Sequence, residues 1–113
     1  MVKLNIGESM KVFIKIINLD GVTDIFADDE TKEMKLDNRN VEFDAVEFVG
    51  RVSVIVFNWK KRNMNNRIID GERYQIKLIS NDGKEKVLIG KNSFHSNYGE
   101  LTKLIEEVKN YGC

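Results

Sequence analysis

Asp44-Ala45-Val46-Glu47-Phe48-Val49-Gly50-Arg51-Val52-Ser53-Val54-Ile55-Val56-Phe57-Asn58-Trp59-Lys60-Lys61 reads in two ways, and the choice decides the fold. Ala45, Phe48, Val49, Val52, Ile55, Val56 and Trp59 fall on one face of a 3.6-residue period. Val46, Phe48, Val52, Val54 and Val56 also fit a period of two, and Gly50 with its β-branched neighbours lowers helix propensity. A helix from Asp44 to about Lys61 is the favoured reading. Its apolar stripe persists over roughly four turns, while Glu47, Arg51, Asn58 and Lys61 occupy the other side.

Before this stretch, Asp20-Gly21 separates Lys11–Leu19 from Val22–Ala27, both rich in β-branched and aromatic residues, which predicts a hairpin. A short third strand, Glu33–Leu36, follows the acidic turn Asp28-Asp29-Glu30. Beyond it, Asp82-Gly83 joins Arg73–Ile79 to Lys86–Ile89 in a second hairpin. Tyr74, Ile76 and Leu78 alternate there with Arg73, Gln75 and Lys77, as in a strand with one buried face. Asp70-Gly71 is a third turn candidate. The last element is a helix: Leu101, Leu104, Ile105 and Val108 share one face, Gly112 sits at its stop, and Asn97 with Glu100 forms a capping box.

The order is therefore β-β-(β)-α-β-β-α, an α+β domain over residues 1–113. Its antiparallel sheet of four to five strands carries both helices on one face and leaves the other face wetter. If the middle stretch forms strands instead, the alternative is a bent sheet or barrel closed by the final helix, as in pleckstrin-homology-like domains.

A chain of 113 residues, 42% hydrophobic and 32% charged, is the size and composition of one globular domain. No stretch approaches the ~18 apolar residues of a membrane helix. Val12-Phe13-Ile14-Lys15-Ile16-Ile17 is broken by Lys15 and lacks a cleavage site, so a soluble, cytoplasmic protein without membrane contact is expected. The single cysteine, Cys113, can make no internal disulfide and no prenylation box.

Formal charge balances to zero but is unevenly distributed. Asp20 to Glu47 holds ten acids against three bases, and Arg51 to Lys91 ten bases against four acids. The two signs either neutralise within the fold or leave faces of opposite sign, which would favour a charged partner or self-association.

Trp59, Ile68-Ile69-Asp70-Gly71-Glu72-Arg73-Tyr74, Gly90-Lys91-Asn92 and Asn97-Tyr98 with Leu104-Ile105 occur in an order that resembles a group of small uncharacterised proteins of Gram-positive bacteria. The resemblance covers about residues 48–105 and departs at His95, where that pattern has proline. It implies a helix before Trp59 and brings no activity with it.

Residues able to carry chemistry are sparse. His95 is the only histidine, with Ser93, Ser96 and Tyr98 near it in sequence, so His95 and Tyr98 are the candidates for a small-ligand or catalytic site. One Cys and one His exclude a structural zinc site, and no cofactor is expected. Asp28, Asp29 and Glu30, with Glu33, could attract a hard cation but lack the alternation of a calcium loop, and read as a solvated turn. Lys60, Lys61, Arg62 and Arg67 form a basic, amide-rich stretch after Trp59 that could meet phosphates. The neutral chain and the absence of a compact binding motif make nucleic acid an unfavoured partner, and a helix C-terminus explains the cations as well. Gly90-Lys91-Asn92 lacks phosphate-loop spacing.

The function expected is thus non-catalytic: a protein-interaction domain, of the size of bacterial immunity proteins and antitoxins. Its partner is an unidentified protein or itself, with Lys60, Lys61, Arg62, Arg67, Asp28, Asp29 and Glu30 as candidate contacts.

Overall fold

The computed structural model describes residues 10–64, 71–91 and 95–111. Arg67, Asp70, Asn92, Ser93, Gly112 and Cys113, all named above, lie outside them. The chain runs β1 (Met10–Asn18), β2 (Gly21–Asp28), β3 (Glu33–Leu36), β4 (Arg39–Asn40), α1 (Ala45–Ile55), β5 (Arg62–Met64), β6 (Arg73–Ser80), β7 (Glu85–Lys91) and α2 (Tyr98–Asn110).

One sheet contains all seven strands in the order β4-β3-β2-β1-β6-β7-β5, and every pairing is antiparallel except β5 with β7. The expectation of a purely antiparallel sheet of four to five strands is corrected in two places. β4 exists because Asp37 and Asn38 both adopt positive φ, 50° and 72°, and so turn the chain straight back on β3. β5 is the basic stretch itself: Lys61 accepts the Ile89 backbone N–H and Arg62–Met64 then runs alongside β7. The anticipated hairpins stand where Asp-Gly placed them, with Gly21 and Gly83 at φ 132° and 91°.

The middle stretch is a helix, which sets aside the pleckstrin-homology-like alternative, but the helix stops at Ile55 and not near Lys61. Asp44 caps its start by accepting the Val46 and Glu47 backbone N–H groups. At its end the Asn97 side-chain amide donates to the Ile55 carbonyl at 2.7 Å, satisfying a helix-terminal acceptor from outside. A turn at Val56–Asn58 then swings Trp59 back into the core.

Val12, Ile14 and Ile16 on β1, Ile25 and Ala27 on β2, and Tyr74, Ile76 and Leu78 on β6 form the inner surface of the sheet. Phe48, Val49 and Val52 of α1 and Leu101, Leu104, Ile105 and Val108 of α2 cover it. Arg51 ties the two helices on the outside through Glu47 and Glu107, an exposed network of small energetic weight. Among the described residues no helix lies on the opposite sheet face. Among the described residues no helix is long and apolar enough to cross a membrane.

Candidate functional site

Strand alternation sends every second residue of the sheet away from the helices, and the registers assemble these into rows. One row runs Val87, Lys77, Phe13, Phe26 and Lys35 across β7, β6, β1, β2 and β3. The next runs Arg62, Ile89, Gln75, Lys15 and Asp24, and the third brings Lys91, Arg73, Ile17 and Val22 together. Six bases, Lys15, Lys35, Arg62, Arg73, Lys77 and Lys91, share these rows with one acid, Asp24, and a fourth row, Glu85, Ile79, Lys11, Asp28 and Glu33, adds one base and three acids. Only Lys35 makes an ion pair among the described residues, with Glu33.

Phe13 and Phe26 are cross-strand neighbours with ring centroids 4.9 Å apart, and Phe13 remains 40% exposed. The Lys77 ammonium sits 6.0 Å from the Phe13 ring. A groove of about 780 Å³ follows this pair, with Lys15, Lys35 and Lys77 along it and Asp24 and Asp37 at its β2–β3 end. A second depression of about 320 Å³ adjoins it through Lys15 and Gln75 and carries Arg73 and Lys91 with no acid.

The predicted ligand candidates lie on the other side, in an aromatic cluster. His95 stacks on Trp59 at 4.8 Å and 13°, and Trp59 lies 5.3 Å from Tyr74 and 6.1 Å from Tyr98. His95 Nε2 accepts the Lys60 backbone N–H at 3.2 Å, so one ring nitrogen serves the fold. Burial and the Lys60 charge both lower its pKa from the ordinary 6.5. Tyr98 donates to the Glu72 carboxylate, which also accepts from Asn18 at 3.3 Å; burial first, and Glu72 second, raise the phenol well above its usual range. The expected capping box at Asn97 is not formed. The Asn97 oxygen accepts the Trp59 indole N–H at 2.8 Å while its amide holds Ile55, so the side chain is committed to α1 and makes no cap bond to α2.

A pH dependence follows for His95. The unfolded imidazole binds its proton more readily than the folded one, so this contribution to stability is complete above pH 6.5 and is lost as pH falls below it. NMR titration of the His95 ring is expected to place its midpoint below 6.5. A midpoint at or above that value would disprove the packing of the imidazole against Trp59 and Lys60.

The acidic turn is used internally. Asp28 is buried and accepts the Glu30 and Thr31 backbone N–H groups, while Asp29 accepts that of Met10 at 2.7 Å. Among the described residues no three His, Cys, Asp or Glu side chains gather as metal ligands would. Lys60, Lys61 and Arg62 are exposed at the β5 edge. The helix-dipole account of them does not apply, because the last turn of α1 has no basic residue. Of the predicted contacts Arg62 joins the basic rows and Asp28 the row of Lys11; Arg67 lies outside the described residues.

α1 has a second apolar stripe. Val46 and Val54 point outward, 46% and 77% exposed, on either side of Gly50, whose missing Cβ would meet nothing within 4 Å, and Phe57 in the turn after α1 is 67% exposed. A groove of about 610 Å³ beside them is rimmed by Glu47, Arg51, Glu100 and Lys103.

No family model, curated protein or solved structure matches this chain, so its functional reading rests on these surfaces alone.

Proposed function

We propose that this chain is a non-catalytic protein-interaction domain that pairs through the outward stripe of α1, and that the protein it meets there is a second copy of itself. The observation that carries this reading is a pair of exposed valines, Val46 and Val54, flanking Gly50 on the uncovered side of α1. A surface helix is ordinarily apolar along one stripe alone.

The stripe is also symmetric about Gly50, with Val46 and Val54 each four residues away, about 6 Å along the axis. An antiparallel twofold crossing at Gly50 sets Val46 of one copy against Val54 of the other, and the reverse, as an isologous contact requires. Glycine within a helix costs about 1 kcal/mol against alanine. Nothing within the protomer crowds this position, so close approach of a neighbouring helix supplies the reason for it. The rim residues Glu47, Arg51, Glu100 and Lys103 carry both signs, so two copies do not repel there.

Sedimentation velocity over a concentration series tests the reading. A reversible dimer is expected, and Val54→Asp is expected to weaken it by about thirtyfold, roughly 2 kcal/mol. At 77% exposure the substitution leaves folding stability within about 0.5 kcal/mol. A protein that stays monomeric throughout, or a dimer indifferent to Val54→Asp, rules this pairing out.

A further inference from the structure

We propose that the helix-free face of the sheet binds single-stranded nucleic acid, with bases stacking on Phe13 and Phe26 and phosphates running past Lys15, Arg73 and Lys91. Charge and ring geometry together select this occupant. The three rows hold six bases and one acid, while the fourth row of the same face, Glu85, Ile79, Lys11, Asp28 and Glu33, holds one base and three acids, so the cation excess is local to the three rows. A polyanion gains by releasing its counterions here.

Phosphate contacts alone would suit any nucleic acid. Phe13 and Phe26 narrow the choice, because rings standing on a sheet stack only on bases freed from pairing. Among the described residues the open face is strand, with no helix rising from it to enter a duplex major groove. An acidic peptide would match the cations but bring no flat π surface for the phenylalanines.

The acids set the polarity of the track. Asp24 and Asp37 stand at the β2–β3 end of the large groove, and the adjoining depression over β6 and β7 has Lys15, Arg73 and Lys91 without an acid. The phosphate chain is therefore directed over β1, β6 and β7, leaving the bases to turn toward the ring pair on β1 and β2. Gln75 lines both depressions, at the boundary between the charged and aromatic parts, where its amide can meet a base edge.

Fluorescence anisotropy with short labelled oligothymidylate and oligouridylate strands, from low to physiological salt, tests this. Binding that falls steeply with salt is expected. Phe13→Ala is expected to weaken it about tenfold, with the salt slope unchanged. Replacing Lys15, Arg73 and Lys91 together by Gln is expected to lower the slope by about 2, at roughly 0.7 for each phosphate left without its cation. Glu106→Gln on α2 serves as a charge-altering control expected to change nothing. Circular dichroism of each variant establishes that the exposed substitutions leave the fold intact. No binding at tens of micromolar protein in low salt overturns the proposal, as does binding unaffected by either sheet-face variant. Equal or tighter capture of polyglutamate also overturns it and would assign the face to acidic proteins instead.

Discussion

Gly90→Ala is expected to destabilise the protein by about 3 kcal/mol or more in urea unfolding, from the addition of one methyl group. A Cβ at this position would lie 2.0 Å from Cε2 and 2.3 Å from Cζ of Tyr74. Gly90 is the cross-strand partner of Tyr74, and the phenol ring lies across it, so the glycine is required for space and not for conformation. The ring cannot withdraw easily. It is 1% exposed, with Trp59 at 5.3 Å and Tyr98 at 5.6 Å.

The clash is with ring carbons, which gives the prediction a second arm. Tyr74→Phe keeps those carbons and is expected not to rescue Gly90→Ala, whereas Tyr74→Leu opens space and is expected to recover part of the loss. The favourable coupling between the two positions should appear in a double-mutant cycle. A Gly90→Ala protein within about 0.5 kcal/mol of the parent would show that the ring does not pack over this residue.

The legible parts of the sequence are those whose signals come from one physical source. Tyr74, Ile76 and Leu78 alternate with polar residues because one face of β6 is buried, and Asp-Gly turns are local. The middle stretch is ambiguous for a reason the fold explains: Val46 and Val54 are apolar and exposed, so they overlay a second pattern on the buried stripe. β5 cannot be read from Arg62-Asn63-Met64, since it is a strand only because the β7 edge is there to pair with it. The Asp37-Asn38 turn has a readable signal, two residues that tolerate positive φ, although β4 after it is two residues long.

The sheet-face cations are hidden differently. Counting charge along the chain registers runs, such as Lys60-Lys61-Arg62, but Lys15, Lys35, Arg73, Lys77 and Lys91 are separated by buried apolar neighbours and come from four strands. Register alone lines them up. Acids lie close by on the same face, Asp28, Glu33 and Glu85 in the row of Lys11, and the helices mix Glu47, Glu100, Glu106 and Glu107 with Arg51, Lys103 and Lys109, so formal neutrality conceals a cation excess confined to three rows of the sheet. His95 stands out in the sequence for being unique, yet its chemistry is spent on Trp59 and the Lys60 N–H.

Trp59→Ala is expected to cost about 3–5 kcal/mol, a large share of the stability of a domain this size. The indole is the point at which four otherwise separate segments meet. It stacks on His95 and packs against Tyr74 of β6 and Tyr98 of α2. Its N–H donates to Asn97, whose amide in turn holds the last carbonyl of α1. Truncation therefore does more than open a cavity: it leaves the Asn97 oxygen without its donor in a half-buried position and loosens the clamp on the α1 terminus. A graded series separates the two contributions. Trp59→Phe retains a six-membered ring but loses the donor and the smaller ring of the indole, and is expected to cost about 1–2 kcal/mol. Asn97→Ala removes both bonds while leaving the indole packed, and should fall between the two tryptophan variants. If Trp59→Phe proves as damaging as Trp59→Ala, the hydrogen bond and not the packed ring holds this junction, and the cavity account of the cluster fails.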